Sequence, residues 1–176
     1  MAENKRGTSN KDNFVDNVIN VRRVTKVTKG GKRFSFSALV VTGDQHGKVG
    51  IALGKSREVS SAISKATNRA RKKMIEIPLR GTTIPYDVQG KHGASKVIIR
   101  SASKGTGLIA GGAVRSLMEA VGIKDVLAKS LGSANRQNVI KAALNALAKL
   151  RSAEQLAKSR GKTVKEIAGG KDVATK

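Results

Sequence analysis

Between residues 31 and 58 the sequence reads GKRFSFSALVVTGDQHGKVGIALGKSRE. Phe34, Phe36, Ala38 and Val40 alternate with Ser35 and Ser37, a two-residue period that fits a half-buried strand and no helix. Gly43-Asp44-Gln45-His46-Gly47 is turn chemistry, because Gly and Asp tolerate the bent or left-handed backbone a reversal needs. Val49, Ile51 and Leu53 then alternate again, so the stretch predicts a hairpin. Lys32, Arg33, Lys48, Lys55 and Arg57 put positive charge at its strand ends and turns. Any chain built around this hairpin is part antiparallel sheet, with one edge offering donors to an anion.

Upstream, residues 14–27 (FVDNVINVRRVTKV) are rich in β-branched side chains and predict a first strand. Ile19 and Val21 share one face, whereas Val24 falls off it, which places a bulge near Arg22-Arg23. Lys29-Gly30-Gly31-Lys32-Arg33 joins the strands as a basic turn whose glycines let backbone amides approach a phosphate. Downstream, residues 58–74 predict a helix packed through Val59, Ile63, Ala66, Ala70 and Met74. Its other positions carry Lys65, Arg69, Arg71, Lys72 and Lys73, more cations than complementing a helix dipole requires. Residues 14–77 thus predict a three-stranded antiparallel sheet with one helix.

Pro78 and Pro85, the only two prolines, mark a linker over 78–85. Residues 86–150 predict a second small α+β domain. It has a strand at 86–89, a basic turn Gly90-Lys91-His92-Gly93 and a strand over 95–101. The glycine-rich run 104–112 opens a helix bearing Val114, Leu117, Met118 and Val121, and residues 125–131 read as a second, short helix. Ser133-Ala134-Asn135 caps a third, lined by Ile140, Ala143, Leu144, Leu147 and Leu150. Residues 1–13 read as a disordered polar arm and 151–176 as a basic extension. With few large aromatics, two modest cores of Val, Ile, Leu and Ala are expected.

Charge narrows the function. Lys and Arg number 35 against 12 Asp and Glu, for a formal +23. Self-repulsion of that size destabilises a lone compact chain, so a permanent polyanionic partner is implied, and nucleic acid fits best. No membrane partner is expected: no apolar run reaches the roughly 20 residues of a span, and no basic amphipathic helix has a large apolar face. The N-terminus lacks the apolar segment of a secretory signal, which points to the cytoplasm. The chain has no cysteine, and His46 and His92 stand apart from any carboxylate cluster, so neither a metal nor a cofactor is expected.

Two glycine motifs mimic nucleotide sites. Residues 105–110 (GTGLIA) fit the dinucleotide fingerprint, with Arg115 about two turns into the helix that follows. No later strand supplies the ribose-binding acid, since Asp125 falls in the stretch read as helix. Residues 50–56 (GIALGKS) resemble a Walker A loop but are one residue short and lie within a strand. No Ser-His-acid set or carboxylate pair is present, so there are no catalytic residues and no enzyme is expected.

The run from 31 to 58, with Gly43-Asp44-x-x-Gly47 and Gly54-Lys55-x-Arg57-Glu58-Val59, resembles the bacterial small-subunit ribosomal protein number five family. The likeness continues through Lys91-His92-Gly93-Ala94, through 105–115 (GTGLIAGGAVR) and 125–129 (DVLAK), to Gly132-Ser133-x-Asn135. Arg136, Ala52 and residues 79–87 depart from the family pattern. The resemblance implies a double-stranded-RNA-binding-like first domain and a second domain of the family's own type. It implies binding to small-subunit rRNA near the decoding region and the mRNA entry path, with neighbours in small-subunit proteins number four and number eight. Residues 24–31 correspond to the loop reaching toward the decoding centre, with Val24, Thr25 and Lys26 near the spectinomycin site. Gly107 and Arg115 match positions facing protein number four, where substitutions loosen accuracy. The expected rRNA-binding set is Arg22, Arg23, Lys26, Lys29, Gly30, Gly31, Lys32, Arg33, Lys48, Lys55, Arg57, Lys65, Arg69 and Lys72. A free-standing RNA chaperone is the alternative.

Overall fold

The alternating hairpin forms the middle of a four-stranded antiparallel sheet in the computed structural model, which describes residues 14–164 and 166. The sheet runs in the order β1 (Val15–Thr28), β2 (Gly31–Gly43), β3 (Lys48–Ser56) and β4 (Ile75–Glu76). β4 is absent from the sequence reading of three strands; two residues carry too little periodicity to show. The β1 bulge also lies elsewhere than expected: the register slips between Val18 and Asn20, at Ile19, while Arg22 and Arg23 pair regularly with Ser37 and Phe36. The arm expected at 1–13 and part of the basic extension (165 and 167–176) lie outside the described residues.

Helix α1 (Val59–Arg71) covers the face of β2 that carries Phe36, Ala38 and Val40. Its buried positions are Ala62, Ala66 and Ala70, one stripe at four-residue spacing, whereas Val59 is exposed. Of the expected face, Ala66 and Ala70 are buried and Ile63 packs half-buried beside them, whereas Val59 falls outside it and Ala62 takes its place. The reason is close approach: a Cβ on Gly54 would strike the Ala62 carbonyl, and one on Gly50 the Ala70 carbonyl. The two glycines of the Walker-like run therefore seat a helix and cradle no phosphate.

The other face of β2 is buried as well. Leu39 and Val41 join a core shared with the second half of the chain, so from Ala38 to Gly43 the strand has no solvent side. That second half is a four-stranded sheet in the order β5-β6-β8-β7. Its strands are β5 (Val88–His92), β6 (Ser95–Ser101), β7 (Leu108–Ile109) and β8 (Val126–Gly132). Helices α2 (Gly112–Val121), α3 (Arg136–Leu147) and α4 (Ala153–Arg160) complete the fold. β8 corrects the short helix expected at 125–131: Leu, Ala and Lys favour helix locally, but pairing with β6 on one side and β7 on the other overrides that preference. The first strand of this half lies later than expected, at Val88–His92, so Lys91 and His92 are strand residues. α3 starts as read, with the Asn135 carboxamide accepting from the Gln137 amide at 3.2 Å.

One continuous core replaces the two expected, with a small alanine-lined cluster under α1 as its only satellite among the described residues. The halves are joined through backbone as well as side chains. The Gln45 and Gly47 amides donate to the Ala120 and Val121 carbonyls at the end of α2, at 3.1 and 3.0 Å. The Ile77 amide donates back to the Gly47 carbonyl at 2.9 Å. Ile84, within the proline-marked segment 78–85, is also buried in the shared core. At this seam Gly122 caps α2 in the left-handed region (φ +93°), and a Cβ there would collide with the Gln45 carbonyl.

Gly122→Ala should therefore lose about 1–3 kcal/mol to backbone strain alone, plus the cost of opening the seam. Gly161→Ala, at an equally left-handed cap with open space around it, should lose less. Urea unfolding midpoints of the two variants, measured side by side, check the ranking.

Candidate nucleic-acid interface

β3 pairs with β2 only as far as Phe36 opposite Ser56. Beyond that point β1 and β2 continue as a bare two-stranded ribbon, from Val24 opposite Ser35 to Thr28 opposite Gly31. At strand rise this projects about 15 Å past the sheet. Lys29 and Gly30 turn the tip, where the Thr28 hydroxyl donates to the Gly31 carbonyl at 3.0 Å. Of the two glycines only Gly31 takes a positive φ, +141°. The segment expected as a reaching loop is thus a paired ribbon for nearly its whole length, Val24, Thr25 and Lys26 included.

The ribbon and its base gather eight of the fourteen expected rRNA-binding residues, Gly30 and Gly31 among them. Arg22, Lys26 and Arg33 lie on one face; Arg23 and Lys32 lie on the other, with Lys29 at the tip. All are exposed, and residues 20–37 contain no acid. Lys26 stands directly opposite Arg33, a like-charge cross-strand pair that destabilises the ribbon until an anion neutralises it. The Arg23 guanidinium lies over the Phe34 ring at 3.6 Å, and Val27 and Phe34 are otherwise uncovered. Charge and apolar surface together leave this extension incomplete on its own.

A second group lies on α1. Lys65, Arg69 and Lys72 follow one another at helical spacing along a solvent stripe with Ser61, Ser64 and Asn68. Arg69 also reaches over the free edge of β3, its guanidinium donating to the Leu53 carbonyl at 3.3 Å. Lys55 and Arg57 are exposed between the ribbon and the start of α1. Lys48 stands apart: it is at the opposite end of β3, across from Glu76, and its amide donates to the Asp44 carboxylate at 2.9 Å. His46 shares that turn, its Nδ1 2.6 Å from the Asp44 carbonyl oxygen.

The fingerprint 105–110 does not open a helix. It leads into β7, and α2 begins only at Gly112, so Arg115 lies in the first turn of its helix and not two turns along. What closes the site to a pyrophosphate is Asp125. Its carboxylate accepts from the Gly105 and Gly107 amides, both at 3.0 Å, filling the nest that two left-handed glycines create. The Thr82 hydroxyl, then the Gly107 amide, hold the Asp125 carboxyl below the ordinary carboxylate range against the opposing cost of burial. The Gly105 amide and Lys104 add to the effect. Arg115 is exposed, with its guanidinium donating to the Leu108 carbonyl at 3.0 Å, so it also braces this loop. The sequence carried the signal for Asp125 in its roughly 20-residue spacing from the glycines, but the helical reading of its surroundings hid it.

Among the described residues no group of three or more His, Asp or Glu could hold a metal ion, and no helix is long and apolar enough to cross a membrane. The sequence model described as "Ribosomal protein S5, N-terminal domain" matches residues 14–78, and that described as "Ribosomal protein S5, C-terminal domain" matches residues 90–160. The chain belongs to the ribosomal protein S5 family. It is 51% identical over 170 residues to the small ribosomal subunit protein uS5 of Acidithiobacillus ferrooxidans, covering 96% of this chain and 97% of that one. The uS5 proteins of Gluconacetobacter diazotrophicus and Lawsonia intracellularis are 52% and 54% identical. Those alignments cover 93% and 85% of this chain and 85% and 91% of the relatives. The S5 family is a family of ribosomal proteins, and the chain is not an enzyme.

Because its pKa is lowered on folding, the Asp125 carboxylate contributes stability that is complete above the ordinary carboxylate range. That contribution is lost as pH falls through the lowered value. Asp125→Asn should destabilise the fold at pH 7 and flatten the acid side of the stability profile, read as urea midpoints from pH 7 to pH 3. The same variant should gain no affinity for NAD or ATP by calorimetry.

Proposed function

We propose that the chain binds small-subunit rRNA as a structural constituent of the small ribosomal subunit, with the β1–β2 ribbon as its principal RNA contact. One observation carries this reading: the two-stranded ribbon that runs on past β3 bears cations on both faces and no acid. The cationic stripe on α1 is the second contact. The chain has only four aromatic side chains (three Phe and one Tyr), so phosphate contact and not base stacking supplies most of the affinity. The ribbon carries Val24, Thr25 and Lys26 toward the decoding region and the spectinomycin site. The chain thereby helps assembly and tunes accuracy beside the mRNA entry path. Gly107 and Arg115 form part of the surface toward small-subunit protein number four, with protein number eight as the other neighbour. The Arg115 side chain, held at Leu108 and exposed, is placed to share a carboxylate across such a boundary.

Affinity for an rRNA fragment should fall linearly on a log–log plot against salt. Replacing Lys26, Lys29 and Arg33 with Gln should lower the slope by about 0.7–0.9 for each phosphate that is no longer neutralised. In cell extracts the chain should sediment permanently with small subunits; a free pool bound to assorted RNA would favour the chaperone reading.

Arg115→Leu as the only cellular copy should raise stop-codon readthrough while leaving RNA affinity of the isolated chain nearly unchanged. Readthrough at the parental level would remove Arg115 from the accuracy surface.

A further inference from the structure

A groove runs between the first sheet and α3, and the expected RNA-binding set covers only part of it. Its upper stretch lies beside the base of the ribbon, between Arg22, Ser37 and Lys55 on the sheet and Asn135, Arg136 and Gln137 at the start of α3. Its lower stretch continues past Gln137 to Lys141 and Leu144 on one wall and Arg69, Lys72 and Lys73 on the other. Leu39, Leu53 and Gln137 line both stretches, so the two form one path. The floor is aliphatic, made by Leu39, Leu53, Ile51 and, toward α3, Leu144.

The path exists because β3 is paired by β4 only at Lys48 and Val49, which leaves the rest of its outer edge free. The end of α1 can therefore reach round that edge, as the Arg69 hydrogen bond to the Leu53 carbonyl shows. Arg136 spans the other rim, its guanidinium 3.5 Å from the Ile19 carbonyl at the β1 bulge. Among the described residues lining either stretch there is no carboxylate, while cations come from β1, β3, α1 and its C-terminal end, and α3. Like charges converging on one trough repel each other unless an anion lies along it. An aliphatic floor between two cationic rims suits a chain that is charged along its backbone and presents flat, weakly polar base faces.

Resting on the reading of the chain as an rRNA-binding protein, we infer that this groove is a further RNA site, distinct from the ribbon tip and bordering the α1 stripe at Arg69 and Lys72, which takes a single-stranded segment. Its phosphates lie on Lys73, Arg136 and Lys141, and its riboses and bases lie over the half-buried Ile51, Leu53 and Leu144. Because the rims belong to different halves of the chain, the bound strand also clamps the two sheets together. An acidic peptide offers the same charge without the repeating flat base faces that can lie on an aliphatic floor, and the floor favours RNA.

The test uses the full chain and a fluorescent oligouridylate of about 12 nucleotides, within the length one such groove covers, titrated over a series of salt concentrations. The groove variant Lys73→Gln, Arg136→Gln, Lys141→Gln should lower the log–log salt slope by about two units, from about 0.7 per phosphate neutralised on a single strand. The charge-keeping variant Lys73→Arg, Arg136→Lys, Lys141→Arg should retain the parental slope, which separates a missing charge from a damaged fold. A parental slope in the Gln variant overturns the groove site. If, in the same series, the ribbon variant Lys26→Gln, Lys29→Gln, Arg33→Gln still loses affinity for an rRNA fragment, the proposed function stands without the groove. If neither variant loses RNA, both readings fall. Polyglutamate of equal charge competing as well as the oligouridylate would overturn the assignment to RNA.

Discussion

The turn at residues 44–47 sits on the end of α2, and that contact joins the molecule. An α-helix leaves its last carbonyls without partners; here the Ala120 and Val121 carbonyls accept from the Gln45 and Gly47 amides. A hairpin turn thus completes a helix C-terminus, and the helix completes the turn. The fit leaves no room for side chains, since a Cβ at Gly43 would meet the Ala120 carbonyl and one at Gly122 the Gln45 carbonyl. The Asp44 carboxylate stiffens the turn from within by accepting from the His46 and Lys48 amides at 2.8 and 2.9 Å. The shared core closes over this seam, with Leu39, Val41 and Val49 from one sheet and Leu117, Met118 and Val121 from α2. Each such side chain contributes about 1.5–3 kcal/mol when fully buried.

A rigid body of this kind determines what the basic residues can do. The burial of β2 on both faces ends near Ala38, and the same two strands then run on without cover. An isolated two-stranded ribbon is marginal in water, and like charges facing each other across it weaken it further. In the proposed function the extension is tolerated because one end is anchored in the core and rRNA completes the other. Core burial and exposed charge on the two strands divide near the point where β3 stops. The alanines of α1 and the glycines of β3 serve the core, whereas Lys65, Arg69 and Lys72 occupy the opposite, solvent-facing side of the helix.

Much of this is legible in the residues. The alternation of Phe34, Phe36, Ala38 and Val40 places one face of β2 correctly, and Asn135 starts α3 where it should. The second buried face of β2 is not legible, because Leu39 and Val41 are covered only once a distant helix packs there. β8 reads as helix because its leucines, alanine and lysine favour helix, and only pairing with β6 and β7 makes it a strand. The cations of the ribbon are legible as charge and glycine, but their grouping is not. The sequence treats Lys48 like Lys55, while the strand between them sends the two to opposite ends of a sheet. Arg136 stands out in the sequence only as a departure from the family pattern; its place on the groove rim depends on the packing of α3 against the first half.

If the ribbon is incomplete in the free chain and completed by rRNA, its amides must differ between those two states, and hydrogen exchange compares them directly. In the isolated chain the amides of residues 24–33 should exchange far faster than those of Ala38 to Gly43 further along the same hairpin. In the assembled small subunit both groups should exchange slowly. Equal protection of residues 24–33 in the free chain and in the subunit would contradict an RNA-completed ribbon.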